Sequence, residues 1–379
     1  MTRPADLLIY TPRLLDPDSG ERHDLQVAVK DGQVVAIGSE LTMEAVERVE
    51  LPAETILLPG LIDVHAHPAC SGSVFGIDPD QQMLPRGVTT VLSQGDAGSD
   101  NIDSFVEQTI EKSQTRVRLA INLSSVGEST PIGCLSDPEW LKPAACLDAI
   151  GRHRRYVSAL AVNCSRAACG QQDPAPILVQ AIEVANASDL PLLYGMRPDH
   201  EWSFDDQLQQ LRPGDMVTYT FRRTPHCILT EAGSLHPAIT AARQRGILFD
   251  VGHGCASFDY EVARTSIEGG FQPDTISSDL QRGHLEDPVP HTLLRVMGKL
   301  HAAGMPQEAV LRAVTSQAAS YLADPDVPGR LEVGAPADIC AVRWPGDSES
   351  LLDSSGRVFE GPVPELLLVL CGGEQIELA

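Results

Sequence analysis

Eight apolar, β-branched runs, each ending in polar or glycine-rich residues, recur through the middle of the chain at 56–67, 89–96, 120–125, 158–165, 192–197, 216–222, 247–254 and 275–280. Segments with helical patterning at 102–112, 138–152, 175–187, 237–245, 260–269 and 292–303 fill most of the gaps. Short strands alternating with helices make parallel β-α units. Eight of them within roughly 250 residues favour a closed (β/α)8 TIM barrel over an open doubly wound sheet.

The ends of the chain are patterned differently. Runs at 7–10, 25–30 and 34–37 read as strands, with Asp31-Gly32 as a hairpin turn between the last two. Runs at 339–342, 357–359 and 366–370 repeat the style. Neither set can form a stable sheet alone. We therefore expect one small β-sandwich domain built from both termini, residues 1–55 with 330–379, beside a barrel over 56–329. A chain of 379 residues has room for both.

A barrel places its chemistry at the C-terminal ends of its strands. His65, His67, Asp96, Cys164, Arg197, Tyr219, His253 and Asp279 occupy those positions. His65 and His67 are two apart on a strand, so both rings point to one face and can share one divalent ion. The formal net charge of -24 argues against nucleic acid and anionic membranes as partners. Nine cysteines without a CxxC pair point to free thiols. No long apolar leader opens the sequence, so a soluble cytoplasmic location is expected.

The run Leu58-Pro59-Gly60-Leu61-Ile62-Asp63-Val64-His65-Ala66-His67 resembles the first-strand motif of the amidohydrolase superfamily, which includes dihydroorotases, hydantoinases and D-aminoacylases. Arg86-Gly87-Val88-Thr89-Thr90 and Gly334-Ala335-Pro336-Ala337-Asp338-Ile339 are similar to the family's segments at strand two and at the return to the β-sandwich. Asp279, in Ile276-Ser277-Ser278-Asp279, matches the strand-eight aspartate. The resemblance implies that His65, His67 and Asp279 hold the buried metal. It also implies that Asp279 moves a proton from the attacking water to the leaving group. The segments around His253 and Asp279 look most like a dihydroorotase-like branch that includes deacetylases of acylated small acids, where His253 would contact substrate. Family habit implies a homo-oligomer.

Three matches fail. Strand four reads Leu160-Ala161-Val162-Asn163-Cys164-Ser165 with no lysine or glutamate, and strands five and six carry Arg197 and Tyr219 rather than histidine. All three losses fall on the second, more exposed metal of the binuclear members. Asp96 lies where D-aminoacylases place a bridging cysteine, and its carboxylate could reach the ion held by the histidines. Cys164 reads as a buried inert thiol. His200, His226 and His284 stand in loops and could ligate only if those loops fold inward. Arg197, Arg222 and Arg223 add positive charge at the barrel mouth, which suits an anionic ligand, and Tyr219 joins Arg197 and Arg222 as a substrate contact.

The expectation is a hydrolase of an amide, cyclic amide or ester of a small acid. It would use one divalent ion, zinc before manganese or iron, on His65, His67 and Asp279 with help from Asp96. Two other readings stay open: an inactive barrel that binds a ligand or partner, and a one-metal lyase or isomerase.

Overall fold

The N-terminal strands are longer than their apolar runs. The computed structural model describes residues 4–16 and 20–379, and it places Ala5–Asp16 (β1), Gly20–Lys30 (β2), Gln33–Gly38 (β3) and Ala45–Glu50 (β4) before the barrel. The hairpin between β2 and β3 turns at Asp31 and Gly32, with φ of 49° and 76°. Such a turn matches the twist of the flanking strands. β4 pairs in parallel with β1 and went unread in the sequence because its side chains are mostly exposed and charged.

Gly60 corrects the reading of 56–67 as one barrel strand. Thr55–Pro59 (β5) belongs to the terminal sheet, and Leu61–Ala66 (β6) opens the barrel. A Cβ on Gly60 would lie 2.0 Å from Thr89 Oγ1, so only glycine lets the chain cross from one sheet to the other here.

The barrel continues through Val88–Gln94 (β7), Arg116–Asn122 (β8), Val157–Asn163 (β9), Leu192–Gly195 (β10), Met216–Thr218 (β11) and Leu248–Phe249 (β12). These seven strands form one parallel sheet in sequential order. The eighth run, 275–280, carries no regular ladder. It is held by a bridge between Asp250 and Thr275, by His253 N–H to Ser277 O, and on the other side by Asp279 N–H to His65 O at 2.7 Å. His67 N–H donates to Leu280 O at 3.0 Å, so the barrel closes between the eighth run and β6.

Inside, Ile62, Val64, Leu92, Leu193 and Met216 pack with Tyr321 and Leu322 of helix Ser316–Leu322. Tyr321 donates its hydroxyl to Leu192 O at the start of β10, so this helix plugs the end opposite the strand C-termini. Helices Pro143–Arg152, Pro174–Ser188, Pro237–Gln244, Tyr260–Glu268 and Leu293–Ala302 fall where the sequence reading put helices and bury their apolar faces in the outer core.

After the barrel, Ile339–Arg343 (β13), Glu365–Cys371 (β16) and Glu374–Gln375 (β17) extend the terminal sheet in the order β17-β16-β13-β5-β1-β2-β3. Between them, Glu349–Leu352 (β14) and Val358–Gly361 (β15) form a separate hairpin. The expectation that 357–359 joins the terminal sheet is corrected: Phe359 stacks on Tyr260 of a barrel helix, with ring centroids 3.8 Å apart. No helix among the described residues is long and apolar enough to cross a membrane.

Candidate metal centre

β6 delivers both histidines to the barrel mouth, and Asp279 meets them from the eighth run. Asp279 Oδ1 lies 3.4 Å from His65 Nε2 and 3.2 Å from His67 Nε2, and all three residues are buried. Among the described residues, His65 Nε2 and Asp279 Oδ1 have no hydrogen-bond partner. Buried polar atoms seldom stay unsatisfied. Two imidazole nitrogens and a carboxylate oxygen aimed at one point are the donor set that a divalent ion such as zinc takes. The residues fit a metal.

Their backbone is forced into place. Asp279 has φ of 48°, a region unfavourable for a residue with a Cβ. Gly254, at φ 49°, lies so close that a Cβ there would sit 2.2 Å from Asp279 Oδ2. Asp63 helps hold the bend: its carboxylate accepts from the Ser278 amide at 3.1 Å, from the Ser278 hydroxyl and from His65 N–H at 3.2 Å. Burial pushes the Asp63 carboxyl up to about 7.

The second nitrogen of each ring is fixed from behind. His67 Nδ1 lies 3.0 Å from Asp96 Oδ1, and Asp96 also accepts from the Ser73 and Ser93 hydroxyls, each at 2.6 Å. His65 Nδ1 lies 2.8 Å from Thr218 Oγ1, whose hydroxyl donates to Asp250 Oδ2 at 2.8 Å. Asp250 also receives the hydroxyls of Thr275 and Ser277. With an ion bound, both rings would carry Nδ1–H and offer the Nε2 lone pair, the tautomer that metal ligation requires. Burial opposes charge on His65, yet Asp279 and Asp250 outweigh it and push its pKa up to about 9. A cation is favoured at this point. Asp96, expected among the ligands, instead stands behind His67 and outside the converging set. Its short side chain meets Nδ1 because that nitrogen, not Nε2, faces β7.

A cavity of about 230 Å³ opens onto His67, Asp279, Tyr219, Asn163, Gln281 and Glu128. Tyr219 has φ of 62° and meets the His65 ring edge-on at 5.0 Å. The Arg222 guanidinium lies 4.6 Å from the Tyr219 ring centroid, with one nitrogen on Ser257 Oγ. Its Nε is buried without a hydrogen-bond partner among the described residues. Glu128 was not read from the sequence, since its loop carries no motif; burial pushes its carboxyl up to about 7.

Other expected residues lie elsewhere. Arg197 is paired with Glu201 at 2.5 Å and does not line this cavity, because helix-like spacing four residues on supplies a nearer anion than any substrate. His253 lines a different cavity, held there by Lys299 at 2.8 Å. Arg223 pairs with Asp259, and His200 is exposed beside Glu201. His226 packs edge-on against Phe204, His284 stacks on His291, and Cys164 is buried with Sγ 3.9 Å from Pro174 O; none joins the converging ligands.

No protein-family model matches the chain. A curated deacetylase of Brucella anthropi is 31% identical over 332 residues, covering 87% of this chain and 81% of its own. Two solved structures superpose over nearly their full lengths. A dihydroorotase has a TM-score of 0.88 at 28% identity, covering 98% of this chain and 99% of that one. An adenine deaminase has 0.89 at 26%, with the same coverage. The chain belongs to the amidohydrolase superfamily, in its deacetylase-like part. It is a hydrolase of the amidohydrolase type.

Within that superfamily the departures noted in the sequence have a clear geometry. Asn163 ends β9, and its Oδ1 accepts from Ser165 N–H at 3.0 Å. A Cβ at Gly195, the end of β10, would lie 2.6 Å from that same oxygen. Tyr219 follows β11. Asn163 and Tyr219 both line the cavity at the metal centre.

Proposed function

We propose that this chain hydrolyses an amide, cyclic amide or ester bond in a small anionic substrate with a single divalent ion, zinc first among the candidates. The observation that carries the reading is the pair of buried, unsatisfied atoms, His65 Nε2 and Asp279 Oδ1, beside His67 Nε2. An ion bound there supplies Lewis-acid activation of water and of the scissile carbonyl. Asp279 takes the proton of the attacking water and returns it to the leaving nitrogen or oxygen. His65 and His67 overcome the burial of Asp279 and hold its carboxyl below the usual carboxylate range, so it stands ionised and open to a proton.

Substrate orientation falls to Tyr219 and Glu128, which line the cavity, with the Arg222 guanidinium behind Tyr219 at 4.6 Å from its ring centroid. Arg222 is a mostly buried cation with no carboxylate partner among the described residues, and it suits the charged end of an acyl amino acid or acyl hydroxy acid.

The test is metal analysis of chain purified without chelator, followed by the double variant His65→Asn with His67→Asn. Near-stoichiometric metal in the parent and little in the folded variant is expected, because these rings sit at the C-terminal end of β6, at the barrel mouth. Full metal content in the variant would place the ion elsewhere. Turnover of N-acyl amino acids by the parent, absent from the variant, completes the assignment.

A further inference from the structure

A second cavity, of about 370 Å³, lies between the His253–Cys255 turn, helix Leu293–Ala302 and the β14–β15 hairpin. It shares no lining residue with the cavity at the metal centre. Its volume is that of an ordinary small-molecule pocket.

Lys299 stands in its wall at 6% exposure. The chain has only four lysines, and this one is buried. Its Nζ is 2.8 Å from His253 Nε2. His253 Nδ1 is 2.8 Å from Gly254 O and must donate to it, so Nε2 is the acceptor for Lys299. That interaction uses one of three donors and neutralises no charge. Among the described residues Lys299 forms no ion pair. Buried lysines are rarely left so.

Acids near it are committed elsewhere or out in solvent. Asp353 Oδ1 accepts from Ser355 N–H, the Ser355 hydroxyl and Arg357 N–H, and its Oδ2 accepts from Tyr260 N–H. Asp287 is exposed at the rim, and Glu349 is held by Arg295 at 2.6 Å. Val289 and Leu352, at 48% and 50% exposure, are among the few large apolar side chains left open to solvent, and both line this cavity.

We propose that this cavity is a second small-molecule site, for a carboxylic acid with a short apolar body whose carboxylate is the missing counter-ion of Lys299. The apolar body covers Val289 and Leu352, and the head meets Nζ beside His253. Burial, with Arg295 adding repulsion, brings the lysine pKa down to about 7, so an anion that favours the ammonium form finds it already half charged near neutrality. The site stands independently of the chemistry at His65, His67 and Asp279.

Titration calorimetry of the metal-loaded full chain with hexanoate and with hexanamide tests this. Hexanoate is expected to bind about tenfold or more tightly than the amide, the discrimination of a charge-assisted hydrogen bond. Lys299→Met, which keeps the volume and removes the amine, should erase that preference without lowering Tm. Leu352→Asp, at a half-exposed position with little folding risk, should weaken hexanoate several-fold. The variant His65→Asn with His67→Asn should keep hexanoate binding intact. Equal binding of acid and amide, an unchanged preference in the Lys299 variant, or loss of hexanoate binding in the histidine variant would each overturn the proposal; the last would move the carboxylate to the metal centre.

Discussion

Asp96 Oδ1 lies 3.0 Å from His67 Nδ1, on the side of the ring away from the Nε2 that meets Asp279. The carboxylate orients the ring and raises its basicity as a ligand without touching the ion. Removing such a partner typically costs 10–100-fold in metal affinity. Asp96→Asn should therefore weaken metal binding by about that factor in a chelator competition, while the folded structure persists. An unchanged affinity would mean that the ring keeps its orientation without the carboxylate.

Gly254 is the tightest constraint on Asp279. A methyl group there would lie 2.2 Å from Oδ2 and would also sit at φ 49°. Gly254→Ala should destabilise the fold by about 1–3 kcal/mol and swing the Asp279 carboxylate away from the histidines. The expected readout is a larger fall in kcat than in KM, with part of the metal retained through His65 and His67. Wild-type turnover in this variant would show that Asp279 does not need its present rotamer.

The strand pattern, the His65–His67 pair and Asp279 were all legible in the sequence, because each depends on local periodicity or on a short motif. Asp250, Thr218 and Glu128 were not. Thr218 and Asp250 reach the site through a contact between segments far apart in the chain, His65 with Thr218, and Glu128 reaches it from a loop; no periodicity encodes those pairings. Asp96 was legible as a residue at a neighbouring strand end but not as the partner of Nδ1, since which nitrogen faces it depends on the ring rotamer. Arg197 misled for a different reason: a strand-end arginine looks available until Glu201, one helical turn on, is seen to hold it.

Arg222 and Arg197 make a matched pair of tests. Among the described residues Arg222 pairs with no carboxylate, whereas Arg197 Nε lies 2.5 Å from Glu201 Oε2. Arg222→Ala should weaken an anionic substrate by about 1–3 kcal/mol relative to its neutral amide analogue. Arg197→Ala should lower stability and leave that discrimination unchanged. Steady-state kinetics on an N-acyl amino acid and its amide measures both. The reverse outcome would put the substrate's charge against β10 instead.

Glu128 gives the metal-side cavity its own pH dependence. Its carboxyl, ordinarily near 4.5, is pushed up to about 7 by burial. Below pH 4.5 it is protonated in folded and unfolded chains alike, and burial costs no charge. Between 4.5 and about 7 the unfolded chain releases the proton while the folded chain keeps it, so stability falls as pH rises through that window. Above about 7 the loss is complete, and the distance between the two values corresponds to roughly 3 kcal/mol. Glutamine has no proton to lose. In metal-stripped protein, Glu128→Gln should match the parent near pH 4 and exceed its stability by up to about 3 kcal/mol near pH 8, as read from urea midpoints. With the ion bound, positive charge beside His67 and Asp279 favours the carboxylate, and the gap at pH 8 should shrink. A gap that ignores both pH and metal would show that Glu128 is solvated rather than facing the metal centre.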